Sequence, residues 1–145
     1  MEPFTNRNLR AFGYDLLSEP VRRAALERVR DEHAAVLTGK VTLVQENNQG
    51  MQAGILMFVL VYRHGLPLEN VAQRRAAIQG WVYSPYRMGD LMRAILPKWP
   101  VQPKDHQVHL QVYDGEAATP ESLLFDSENA GAAVRPASSL PTRLW

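Results

Sequence analysis

The chain has no cysteine. A disulfide framework, a thiolate metal site and a cysteine nucleophile are excluded by that absence alone. It does not set the compartment, because cytoplasmic and periplasmic proteins both tolerate it. Neither sign of charge dominates: 16 Lys and Arg stand against 15 Asp and Glu, for a net charge of +1. That balance offers no electrostatic reason to expect nucleic acid or an anionic membrane as partner. Long hydrophobic runs are missing too. The longest, Ile55 to Tyr62, falls far short of the roughly 20 residues of a membrane-spanning helix. The N-terminus, Met1-Glu2-Pro3-Phe4-Thr5-Asn6, has neither a basic nor an apolar leader region, so the chain reads as soluble and without an export signal. No glycine-rich phosphate loop and no Gly-x-Ser-x-Gly elbow occurs. Of the four histidines, His106 and His109 are three apart, which on a strand sets them on opposite faces. Without a carboxylate at matching spacing, no metal, cofactor or catalytic group is expected.

What is present suits one ordinary domain or two very small ones, at 145 residues with 46% hydrophobic content. Asn6 to Leu17 reads as extended. A helix begins near Ser18, which can cap it, with Pro20 in the first turn. Val21, Ala25 and Val29 recur at helical spacing with Leu26 beside them. The arginines between them, Arg22, Arg23, Arg28 and Arg30, read as a solvated face paired as Arg23–Glu27 and Arg28–Glu32. Lys40 to Gln45 is rich in Val and Thr and reads as a strand. Asn47 to Gly50 is a turn signal. Gly54 to Arg63 reads as a central strand buried on both faces, forming a hairpin with Lys40–Gln45. Leu68 to Ala77 reads as a loop or short helical turn.

Ile78 to Tyr83 completes a three-stranded sheet, stopped by Pro85. Met88 to Leu96 carries Met88, Leu91, Met92 and Ile95 at helical spacing. Val108 to Tyr113 alternates as a strand does. Asp114-Gly115 is a turn, and Leu123 to Phe125 a short strand. The composition shifts near Pro85, which places a soft boundary between 1–84 and 85–127. A loosely ordered Ala-, Ser- and Pro-rich tail follows from 128 to 145. The fold class is α+β.

The segment Ala11 to Pro20 sets an acid, Asp15, among apolar neighbours just ahead of a helix and apolar strands. Such an acid can form part of a small-molecule pocket wall. Four pieces in order carry a family resemblance. They are Phe12-Gly13-Tyr14-Asp15-Leu16 with Ser18-Glu19-Pro20, then Leu43-Val44-Gln45-Glu46, then Phe58 to Arg63, then Gly80-Trp81-Val82-Tyr83 leading to Tyr86-Arg87-Met88 and Asp90-Leu91. Together, from about Asn8 to about Tyr113, they resemble the CHASE domain, the extracytoplasmic sensor module of bacterial and plant sensor histidine kinases and nucleotide cyclases.

The resemblance implies two stacked PAS-like subdomains between membrane-spanning segments. Residues 1–84 would form the membrane-distal, ligand-binding part, and 85–127 the start of the proximal one. The long N-terminal helix, both spans and any kinase or cyclase module would lie outside this chain, which would be a piece of a receptor and no enzyme itself. Family members would act as homodimers, joined to the membrane only through the flanking segments, with no nucleic-acid partner.

The residues implied for ligand binding are Asp15, Phe58, Trp81, Tyr83, Tyr14 and Leu43. In the plant cytokinin receptors of the family, an aspartate at the position of Asp15 holds the adenine ring. Those members carry a threonine at the position of Phe58 and a glycine at that of Tyr83. The larger rings here shrink the cavity and remove a hydroxyl contact, so the ligand stays open. Each residue also has a plainer reading. Asp15 can be a helix-entry acid satisfied by backbone N–H groups, Phe58 a core residue, and Trp81 and Tyr83 core or pocket wall alike. A ligand-free structural or dimerisation spacer, or an inactive gene remnant, are the alternatives to a sensor.

Overall fold

A computed structural model of the chain describes residues 6–44, 51–96 and 109–129. Its elements are α1 (Asn6–Leu9), a 3-10 turn (Leu16–Ser18), α2 (Pro20–Glu32), β1 (Val36–Leu37), β2 (Gly54–Tyr62), α3 (Val71–Ala77), β3 (Ile78–Arg87), α4 (Met88–Ile95), β4 (Gln111–Tyr113) and β5 (Leu123–Asp126). The α+β class expected from the sequence is the one observed. The segment read as extended, Asn6 to Leu17, instead holds α1 and the start of the 3-10 turn.

Helix α2 is capped by Glu19, not Ser18. The Glu19 carboxylate accepts from the backbone N–H of Val21 and Arg22, both at 2.9 Å, and Pro20 needs no donor partner at the first position. The Ser18 hydroxyl donates to the carbonyl of Asp15. Its buried stripe is Arg22, Ala25, Leu26 and Val29. Val21 lies outside that stripe, and a charged residue takes the place expected for it. Of the expected ion pairs Arg28–Glu32 forms at 3.0 Å, whereas Arg23 donates to the Leu17 carbonyl. The helix ends at His33, which adopts a left-handed conformation (φ 56°) in the role glycine usually fills.

The three-stranded antiparallel sheet has the order β1-β2-β3. The partner of β2 in the first hairpin is Val36–Leu37, not Lys40–Gln45. Val41 makes only an isolated bridge to Gly54. Leu43 then passes close over Gly54, where a Cβ would stand 2.5 Å from Leu43 Cγ. The expected turn at 47–50 lies outside the described residues. Strand β2 is enclosed on both faces only over its first half; beyond Phe58, Val59 and Val61 are exposed.

Pro85 does not stop β3, which runs on to Arg87 with Pro85 opposite Leu56. β3 is an edge strand, where a missing N–H can face away from the neighbour. The strand therefore continues through 84–85. α3 starts with a capping box, Asn70 accepting from Gln73 N while the Gln73 side chain accepts from Asn70 N.

Register sorts the sheet's two faces, because directly opposed residues share a side. Val36, Phe58 and Tyr83 are in line, flanked by Leu56 and by Leu60 with Trp81. This face packs on α2 in the main core of Ala25, Leu26, Val29, Val36, Val41, Leu43, Leu56 and Phe58. The other face contributes Ile55 and Tyr86 to a second core with Met88, Met92 and Phe125. Strands β4 and β5 pair antiparallel, with Gly115 in left-handed conformation (φ 81°) at the turn the sequence predicts. Lys40 joins this small sheet to the rest: its backbone N–H donates to Asp114 at 2.7 Å and its ammonium to the Glu121 carbonyl at 2.6 Å. The expected starts and stops at Val108, Pro97 and Pro100, and most of the tail, lie outside the described residues.

Candidate functional site

The 3-10 turn, the first turn of α2 and the sheet edge enclose a crevice. Its walls include Tyr14 and Leu16 from the N-terminal segment, Arg22 from α2, Leu43 from the connection before β2, Leu56 from β2 and Tyr83 from β3. The crevice is small, about 10 Å³, which is room for about one water molecule. Three of the six residues expected for ligand contact, Tyr14, Leu43 and Tyr83, are brought together here. The other three are elsewhere. Phe58 is wholly buried beneath Tyr83, the ring centres 5.9 Å apart. Trp81 is 39% exposed, on the same face but one pair further along. Asp15 is exposed, between the lining residues Tyr14 and Leu16; its Oδ1 accepts from Leu17 N at 2.9 Å, capping the 3-10 turn.

Arg22 is the residue that sequence reasoning missed. Its position in a run of arginines suggested a solvated face, yet it is 3% exposed. One signal was available. Arg22 stands at the same spacing from Ala25, Leu26 and Val29 as a core residue would, so helical periodicity counted from Val29 backwards reaches it before Val21. Its Nη1 donates to the Tyr14 hydroxyl at 3.0 Å and its Nη2 to the Thr42 carbonyl at 2.7 Å. The guanidinium also lies over the Tyr14 ring, 5.2 Å from its centre, a cation–π arrangement. Burial pushes the Tyr83 hydroxyl pKa up, and the Arg22 charge draws it partly back.

A second polar cluster lies on β4–β5. His109 Nε2 is 2.7 Å from Asp126 Oδ1, and Gln111, Asn129 and the backbone N–H of Glu128 also reach that carboxylate. Burial raises the Asp126 pKa, but these hydrogen bonds outweigh it and hold it at about 2. Among the described residues no group of three or more His, Asp or Glu side chains is placed to hold a metal ion. His106 lies outside them. Two wider hollows, of about 360 and 370 Å³, are shallower and more open. The first has only Arg28 among its side chains to orient a polar ligand, and so is a poorer recognition site than the crevice.

The comparisons with known proteins agree with the sequence resemblance. The CHASE domain family model matches residues 1–125. No curated protein matches the chain. Among the described residues no helix is long and apolar enough to cross a membrane. A CHASE domain is a sensory module and not a catalytic one. With the match extending over most of its length, the chain belongs to the CHASE family of extracytoplasmic sensory domains.

Proposed function

We propose that the chain is the ligand-sensing part of a transmembrane signal-transduction receptor and takes up a small molecule in the crevice beside α2. The observation that carries this reading is the convergence of Tyr14, Leu43 and Tyr83, far apart in sequence, on one crevice with a buried cation in its wall. Asp15, flanked by two lining residues, anchors a polar group of the ligand, and the apolar side chains enclose the rest. Binding shifts the ensemble toward one arrangement of the crevice walls, and the flanking segments of the intact receptor pass that change across the membrane.

In this reading residues 1–84 form the PAS-like membrane-distal part, 85–127 begin the proximal part, and 128–145 form a tail. The chain is a fragment of that receptor, which is homodimeric, faces the periplasm, belongs to a two-component or cyclase system, and carries any catalytic module elsewhere. Nucleic acid plays no part.

The test is thermal unfolding of the full chain with a panel of neutral heteroaromatic compounds, adenine included. A compound that raises Tm for the parent chain but not for Asp15→Ala supports the assignment. A compound that stabilises both chains equally removes Asp15 from the site. A panel without effect favours a second reading, a ligand-free spacer, for which the smallness of the crevice (about 10 Å³) and the complete burial of Phe58 speak.

A further inference from the structure

We infer that the crevice recognises a carboxylate on its ligand, and that Arg22 is the residue that reads it; this rests on the ligand-sensing role proposed above. A guanidinium at 3% exposure has given up its water and needs anionic or well-placed polar partners in return. Both of its hydrogen-bonded partners are neutral, the Tyr14 hydroxyl and the Thr42 carbonyl. Among the described residues its ion-pair partner is Glu19, with Oε2 3.8 Å from Nη1, beyond hydrogen-bond reach. Its two oxygens are already taken by the backbone N–H groups of Val21 and Arg22 at the helix start. The Arg22 Nε is buried and has no hydrogen-bond partner among the described residues. A positive charge answered only by that long ion pair thus stands in the wall of a crevice whose other faces include Leu16, Leu43 and Leu56, and apolar surroundings strengthen its pull on an anion.

The Tyr14 hydroxyl is the replaceable partner. Tyr14 is 37% exposed, so its ring can turn outward without breaking the core. A ligand carboxylate entering there accepts from the Arg22 guanidinium, exchanging a neutral acceptor for an anionic one. At about 10 Å³ the crevice holds only one water-sized group as it stands, so the carboxylate takes the space that the Tyr14 ring vacates. The remainder of the ligand extends outward over the place Tyr14 leaves, toward Asp15.

The experiment is a titration of the isotope-labelled full chain, following the Arg22 Nε–Hε resonance by NMR. Acetate, propionate and benzoate are each compared with the matching amide. The acids are expected to shift that resonance and to bind about tenfold more tightly than the amides, the ratio one charge-assisted hydrogen bond supplies. Arg22→Gln should erase the acid preference. Should that variant not fold, Tyr14→Phe keeps Arg22 in place while removing the competing hydroxyl. It should tighten the acids and leave the amides unchanged. Equal binding of acids and amides overturns the inference while leaving the sensor reading in place. So does acid binding that leaves the Arg22 resonance unmoved. No acid binding at all also overturns it, and the neutral panel then decides separately whether the module binds any small molecule.

Discussion

Single side chains in this domain have been given unlike tasks by small differences in position. Arg22 and Arg23 are neighbours in a basic run, yet one turns into the core and the other reaches the Leu17 carbonyl at the surface. A helix of 3.6 residues per turn separates adjacent residues by about 100°, and that angle decides it. Phe58 shows the same logic on a strand. It is wholly buried, filling the space between α2 and Tyr83. Truncation, Phe58→Ala, is expected to cost about 3–5 kcal/mol, measured by urea unfolding, because the site is walled by backbone-anchored neighbours and collapses poorly. Asp15 and Phe58 were both legible as notable residues, but their surroundings were not. An acid before a helix can face a ligand or its own backbone, and only coordinates show that Leu17 N already uses one of its oxygens.

Elements pair here by close approach as much as by propensity. The Val- and Thr-rich stretch after Lys40 has strand composition, but among its described residues it pairs with β2 only through the bridge of Val41 to Gly54, and Leu43 lies close over that glycine. Gly54→Ala should therefore push Leu43 off its seat, destabilising the chain by about 1–3 kcal/mol and perturbing the crevice that Leu43 lines; chemical denaturation together with the Leu43 methyl resonances would show both effects.

Strands β4 and β5 are short, and their pairing is reinforced by the hydrogen bonds gathered on Asp126. That carboxylate has its pKa lowered from an ordinary 3.8 to about 2. A depressed carboxylate stabilises the fold above its unfolded-state value, and the benefit fades as pH falls through the folded one. Stability should thus be undiminished by this group at neutral pH and drop by about 2 kcal/mol between roughly pH 4 and pH 2. Asp126→Asn should flatten that part of the curve, as followed by circular dichroism across an acid series.

At the scale of the molecule, one strand serves two cores. β2 presents Leu56 and Phe58 to the α2 side and Ile55 to the cluster with Met88, Met92 and Phe125. Lys40 adds a polar tie to Asp114 and Glu121. The two clusters should consequently unfold together, giving coincident transitions by far-ultraviolet dichroism and tryptophan fluorescence. Separate transitions would mean that the shared strand does not couple them.

Periodicity and composition were enough for the α+β class, for α2, α4 and strands β2 to β5, and for the absence of thiol chemistry, because those follow from local spacing and residue type. The family came from elsewhere in the sequence, from the resemblance of four short motifs to the CHASE domain. Periodicity and composition could not show that β3 runs through Pro85, since that depends on its lying at the sheet edge. Nor could they show that Arg22 is buried, that Tyr14, Leu43 and Tyr83 meet at one crevice, or that Phe58 packs beneath Tyr83 in the core and outside the crevice lining. Those outcomes depend on which faces are pressed together across distant parts of the chain, and a contact of that kind exists only once the chain has folded.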